Sequence, residues 1–292
     1  MLSSLRIGRL FGIDVFVHPT FWLLPLFVFL SSSTSRGTDH AVLDVAVVFA
    51  VFGCVALHEF GHALAAMIYG IRTRDITLYP IGGVARLENM PERPWPEIVV
   101  ALAGPAVNVA IAIGIAALMA LDGLSVLAGL HGGPGLEAFW ARLLVANVVL
   151  VAFNLIPAFP MDGGRVLRAV VSWFTDRLTA TEVASAVGAV IAVTLGLIGL
   201  WKGEFMLVLV AAYVFLAGRG ELAALRHQEE VRRAERRWRQ RMSGAPTAIP
   251  ADDIPVVHPV EPVPVNGWEF DPVSRTWTEW RDGYSVRRVR TD

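Results

Sequence analysis

One cysteine, Cys54, in 292 residues leaves no internal disulfide to form, so neither an oxidising compartment nor a disulfide framework is indicated. Packing must hold the fold. Charge is also scarce: 17% of residues are Asp, Glu, Lys or Arg, against roughly 25% in soluble globular proteins. That argues against an ordinary cytosolic enzyme. The formal net charge of -1 supplies no global field to recruit nucleic acid, and no internal repeat of solenoid period is visible. What the chain has in quantity is apolar surface, with 54% hydrophobic residues and a mean hydropathy of +0.54. These values exclude a disordered, collagenous or coiled-coil chain and point to lipid.

The apolar residues fall into six runs. The first, about Thr20 to Leu30, follows Arg6, Arg9 and His18-Pro19 and is shorter than the ~20 residues that span hydrocarbon, so flanking residues must help. No small-x-small cleavage site follows it, and it reads as an uncleaved first span. The second, about Ala41 to Tyr69, is interrupted by His58, Glu59 and His62, and as a helix it would exceed ~40 Å. Between Arg72 and Pro96 the chain turns polar, with short strand patterns on either side of Gly82-Gly83 that predict a small β-hairpin. Further spans are expected at about Glu97–Leu121, Leu136–Ile156, Thr181–Leu200 and Phe205–Ala217, with a Gly-rich loop over Asp122–Gly135. The expected fold is thus an all-α membrane protein of about six transmembrane helices, with a small β-hairpin near the site and a C-terminal cytosolic tail.

Lys and Arg in short loops collect on the cytoplasmic side. With the N-terminus inside, six spans place Arg6, Arg9, Arg72, Arg74, Arg86, Arg93, Arg165, Arg168, Arg177 and the arginine-rich tail in the cytosol, leaving Arg36, Lys202 and Arg142 outside. Both termini are therefore expected to be cytosolic, in a multi-pass protein of the cell membrane. The ends of spans two and four then meet at the cytosolic face.

Beyond residue 220 the composition changes. Residues 221–242 form a charged helix, either a solvated extension of span six or a basic surface lying on anionic lipid. Residues 243–265 are a Pro-rich linker. Residues 266–292 carry Trp268, Phe270, Trp277, Trp280 and Tyr284 between turn signals, and read as a small β-meander or an unstructured aromatic tail.

The chemistry begins at His58-Glu59-Phe60-Gly61-His62. Two histidines four residues apart on a helix share one face, about 5–6 Å apart at Cβ, a spacing suited to chelating one tetrahedral metal. Glu59 is offset around the helix, where its carboxylate reaches a water on the metal without becoming a ligand, the general-base position of zinc peptidases. A purely structural trio is the alternative, yet ionisable groups inside hydrocarbon are costly unless used or paired. A third ligand is required. Asp162, after the Pro157 and Pro160 break, is the candidate, with helix N-capping as its plainer role; Glu88 and Glu97 remain open. Asn108 and Asn147 read as amides bonding across helices. Asn154, beside the helix break, is placed to hold a substrate backbone or oxyanion. Cys54, one turn before His58, reads as a small buried hydrophobe.

The HExxH segment in a membrane span, together with Asn154-Leu-Ile-Pro-Ala-Phe-Pro-Met-Asp162-Gly163, resembles the site-2 protease family and its NxxPxxxxDG signature. The Gly82-Gly83 hairpin, Gly104-Pro105-x-x-Asn108 and the entry Gly12-Ile-Asp-Val-Phe-Val-His18-Pro19 resemble its six-span bacterial and archaeal branch, over about residues 5–220. The resemblance implies that residues 1–220 are a transmembrane metalloprotease domain in which His58, His62 and Asp162 bind one zinc ion, Glu59 is the catalytic acid/base and Asn154 is accessory. It further implies cleavage of membrane-anchored protein substrates within or near a spanning helix. Gly82, Gly83 and Asn108 are candidates for substrate contact, the glycines because an unwound segment could add to a strand edge. Two other readings remain: a divalent-metal transporter or metal-sensing membrane protein using the same three ligands, and an inactive homologue that docks through its tail. The tail, residues 221–292, is too short and too Trp-rich for the regulatory domains common in the family.

Overall fold

The computed structural model describes residues 4–80, 82–87, 93–243, 266–271, 274–282 and 284–290. The chain divides into two compact units, Met1–Arg232 and Arg233–Asp292.

The first unit opens with a hairpin, β1 (Leu5–Leu10) and β2 (Ile13–Val17). Phe11 and Gly12 both take positive φ in its two-residue turn (51° and 83°), the geometry that matches strand twist. A 3-10 turn, Pro19–Trp22, follows, capped by His18 Nδ1, which accepts from the Thr20 N–H. α1 (Leu23–Arg36) comes next, 14 residues long. At ~1.5 Å per residue it is shorter than the ~30 Å hydrocarbon layer. Among the described residues, five helices are long and apolar enough to cross a membrane, α2 (Thr38–Ile68), α3 (Pro94–Leu121), α5 (Leu136–Asn154), α7 (Arg177–Lys202) and α8 (Phe205–Ser243), so the first of the six expected spans falls short of that length. The loop expected over 122–135 contains a short helix, α4 (Val126–His131), whose Ser125 cap accepts from Ala128 N–H.

β3 (Thr73–Tyr79) and β4 (Gly82–Leu87) are the expected hairpin, but they belong to a larger sheet. Its order is β1-β2-β3-β4, with β2 and β3 parallel and Val17 opposite Leu78. The sequence reading left β1 and β2 unassigned because a bulge between Arg6 and Gly8 breaks the alternation and their stabilising partner lies far along the chain. The sheet seals onto α2 through Ile13, Phe60, Ala63 and Ile76.

Inside the bundle, α2, α3 and α5 meet at Cys54, Ile115, Met119, Ala141 and Leu143. α2 and α3 approach closely because Gly61 has no side chain; a Cβ there would lie 2.8 Å from the Ala103 carbonyl oxygen. After α5 the chain breaks at Pro157 and Pro160, then starts α6 (Asp162–Val171). Gly163 and Gly164 let α6 press on the backbone of residues 155–159, where any Cβ would clash. Ala158 and Met161 of this turn pack on Ala192 of α7 and Val214 of α8. α7 begins at an Asp176 cap that accepts from the Leu178 and Thr179 N–H groups and ends at left-handed Gly203.

Outward, the bundle presents large apolar side chains such as Phe27, Leu121 and Trp201. That is the expected surface where lipid is the solvent, because only helices satisfying their own backbone polar groups span hydrocarbon. This is a multi-pass membrane protein. The charged segment after residue 220 continues α8 without a break. In the second unit β5 (Asn266–Asp271), β6 (Thr276–Arg281) and β7 (Tyr284–Arg290) form an antiparallel meander. The Phe270 and Trp277 rings lie 4.9 Å apart, tilted by 41°, and Trp280 Nε1 donates to Glu269.

Candidate metal centre

His58 and His62 sit on one face of α2, both buried, and their Nε2 atoms are 3.0 Å apart. Asp162, the first residue of α6, brings its Oδ2 to 3.2 Å from each. The three ligand atoms thus form a nearly equilateral triangle. Ligands about 2.0–2.1 Å from a tetrahedral zinc stand ~3.3–3.4 Å apart, so these three side chains are spaced to hold one such ion.

The hydrogen bonds behind the triangle settle which ring nitrogens face it. His62 Nδ1 lies 2.7 Å from the Val100 carbonyl oxygen, which can only accept, so that nitrogen carries the proton. His58 Nδ1 lies 2.6 Å from Asn108 Oδ1, and the Asn108 amide donates onward to Asn147 Oδ1 at 2.8 Å. Both Nε2 atoms therefore present lone pairs toward each other and toward a carboxylate. Asp162 Oδ2 is buried and accepts no hydrogen bond among the described residues. Three acceptors converging with no proton between them repel unless a cation joins them, and imidazoles oriented by second partners are the usual arrangement around such a cation.

α3 makes room for the ion. A Cβ on Gly104 would lie 2.7 Å from His58 Nε2 and closer still to His62, filling the space in front of both rings. Glu97, Val100, Gly104 and Asn108 are spaced i, i+3, i+7, i+11, so one stripe of α3 serves the whole centre.

Glu59 is not in the triangle. Its Oε2 accepts the Ala85 N–H of β4 at 3.1 Å, and Gly83 lies so close that a Cβ would be 2.6 Å from Glu59 Cγ. Gly82 is next to it, at φ +141°, paired with Tyr79. Asn154 donates to Leu150 O within its own helix, at 3.0 Å. Asn108 is fully buried, its side-chain amide bonded to His58 and Asn147. Glu97, the alternative ligand, is bound to Arg168 at 2.8 Å; Glu88 lies outside the described residues. Two contributors were not read as such from the sequence: the Val100 carbonyl, which has no side-chain signature, and Gly104, which appeared only within the Gly104-Pro105-x-x-Asn108 segment of the family resemblance.

The profile of Peptidase family M50 matches residues 46–133 and 131–197. A zinc metalloprotease of Methanocaldococcus jannaschii is 35% identical over 221 residues, covering 76% of this chain and 61% of that protein. Stage IV sporulation protein FB of Bacillus subtilis is 28% identical over 156 residues, covering 53% of this chain and 46% of its own length. Among solved structures, the site-2 protease from Methanocaldococcus jannaschii superposes with a TM-score of 0.56 at 34% identity, over 75% of this chain and 95% of that one. The chain thus spans about three-fifths or less of the length of these curated relatives.

Proposed function

We propose that this chain, which belongs to Peptidase family M50, is a zinc-dependent intramembrane endopeptidase that cleaves membrane-anchored proteins within or beside a spanning helix. The observation that carries the reading is the buried His58, His62 and Asp162 triangle with Glu59 beside it, built between apolar helices. His58, His62 and Asp162 would hold the ion. Bound there, zinc supplies a Lewis acid that acidifies water and polarises a peptide carbonyl. Glu59 takes the proton from the attacking water and delivers it to the departing amine. Asn154 steadies the substrate backbone or the developing oxyanion.

A substrate helix hides its carbonyls in i to i-4 bonds and must unwind before attack. β4 lies at one end of the four-stranded sheet and runs past Glu59 at Ala85. Edge addition beside Gly82 and Gly83 would replace the lost backbone bonds and lay the unwound segment next to the acid/base. Substrates with helix-breaking residues in their spans are cleaved preferentially on this reading.

The arginine distribution supports cytosolic termini and a centre on the cytosolic side of the cell membrane. Residues 1–220 act as the proteolytic unit, residues 221–242 as a basic cytosolic helix in reach of anionic lipid and 266–292 as a small contact module; the Pro-rich segment read as a linker lies outside the described residues from 244 to 265.

The test is co-expression with single-span candidate substrates, comparing wild type, Glu59→Gln and Asp162→Ala, with metal analysis of each purified protein. Glu59→Gln should keep zinc and lose about 10²–10⁴-fold in cleavage rate, and Asp162→Ala should lose both. A Glu59→Gln protein that cleaves normally would refute the reading, and altered metal flux with no cleavage product would support a transporter instead.

A further inference from the structure

We infer that Arg168 is a positioning residue for the metal centre: it ties α6, the helix that begins at Asp162, to α3 and α8, and so fixes the Asp162 carboxylate against the two imidazoles. The inference rests on the metal-binding reading of His58, His62 and Asp162.

Asp162 has little of its own to aim it. Its Oδ2 accepts no hydrogen bond among the described residues, so its place is set by where α6 begins. Arg168, six residues on, is only 5% exposed despite its charge. Its Nε and Nη2 both donate to Glu97 Oε1, at 2.8 and 2.5 Å. Nη1 donates to Glu221 Oε1 of α8 at 2.7 Å. The guanidinium carbon lies 5.1 Å from the centre of the Phe159 ring, in the turn just before Asp162. One side chain therefore grips the turn that leads into Asp162, the helix that leads away from it, and two further helices.

The partner on α3 is what connects this tie to the ion. Glu97 stands on the same stripe as Val100, Gly104 and Asn108, which orient His62, make the space for the ion and orient His58. α3 is thus a common reference for all three ligands: the histidines through Val100 and Asn108, and the aspartate through Glu97 and Arg168. A buried guanidinium and carboxylate add little to stability compared with apolar residues of the same volume, so a register role is the more economical account of their presence. The Glu221 arm is the accessible one, with 46% of its side chain exposed. It sits on the helix that continues through the charged segment to Ser243.

The experiment uses full-length protein in detergent, loaded with zinc or cobalt(II). The paired variant Arg168→Met/Glu97→Gln removes both buried charges without stranding either. It should bind zinc about 10–100-fold more weakly in chelator competition, show an altered visible spectrum in its cobalt form, and lose part of the rise in Tm that zinc gives the wild type. Arg168→Lys, which lacks the planar fork, and Glu221→Gln should show smaller losses in the same direction. A paired variant that folds with wild-type zinc affinity and an unchanged cobalt spectrum would overturn the inference. So would equal loss of Tm with and without zinc at unchanged affinity, the mark of a merely structural tie. If the paired variant fails to fold, wild-type affinity and spectrum in both single variants would overturn it. A wild-type protein that binds neither metal would sink the metal reading itself, a failure visible before any variant is made.

Discussion

Gly104 faces His62 across a gap too narrow for a methyl group, and the same missing Cβ would stand 2.7 Å from His58 Nε2. The space that α3 leaves open there is the space an ion needs. Gly104→Ala should therefore release the metal while the helix, whose propensity improves with alanine, still forms. Zinc per purified chain, measured by emission spectrometry, is expected to drop at least about tenfold relative to wild type, with cleavage lost in parallel.

Gly83 gives a contrasting outcome from the same kind of substitution. A Cβ there meets the flexible Glu59 side chain first, 2.6 Å from Cγ. Gly83→Ala should push the Glu59 carboxylate out of register with the Ala85 N–H and slow cleavage by about 10-fold or more, with zinc content unchanged. Loss of zinc in this variant would contradict the assignment of Glu59 outside the ligand set.

Asn108 holds His58 in its tautomer and is itself held by Asn147. Asn108→Ala should weaken zinc binding by about 10–100-fold and, by leaving buried groups unpaired, cost roughly 1–3 kcal/mol of stability. Asn147→Ala, one bond further back, should weaken zinc binding less. Chelator competition at fixed pH ranks the two, and the reverse order would break the chain of support.

Asp176 caps α7, and its bonds from Thr179 hold its carboxyl below the ordinary value. A carboxyl lowered by folding stabilises the protein above its unfolded pKa of ~3.9, and that contribution fades as pH falls through the lower folded value. The Tm difference between wild type and Asp176→Ala, followed in metal-free protein from neutral to acidic pH, should be steady and then shrink below about pH 4. A difference that persists undiminished in acid would mean the cap does not act through its charge.

How much of this was legible beforehand depended on whether a feature is written in side chains at short range. His58, Glu59 and His62 are readable because helical period and metal chemistry coincide within five residues. Asp162 is readable because the prolines and the Gly163-Gly164 pair announce a helix start beside a break. Both halves of the triangle were legible, but their approach to 3.2 Å is a tertiary fact. The strands Leu5–Leu10 and Ile13–Val17 were missed, since the pairing of the second with β3 is made across two intervening helices. Arg168 read as a marker of the cytosolic boundary, because nothing in its neighbourhood along the chain points to Glu97, whose own burial makes it the partner. Composition gave the lipid environment outright, while α1 at 14 residues lies at the length where apolar content alone does not define a span.

The parallel pairing of Val17 with Leu78 carries a consequence for biosynthesis. A two-stranded hairpin alone is marginally stable in water, so β1 and β2, although made before β3, acquire their stabilising neighbour only after α1 and α2 have been made and β3 has emerged. At about 5–20 residues per second the wait lasts several seconds, during which the HExxH helix has already entered the bilayer. The platform beside the acid/base is therefore among the last parts of the N-terminal third to be finished, and a nascent chain stalled before residue 73 would own both histidines yet lack the wall that positions Glu59.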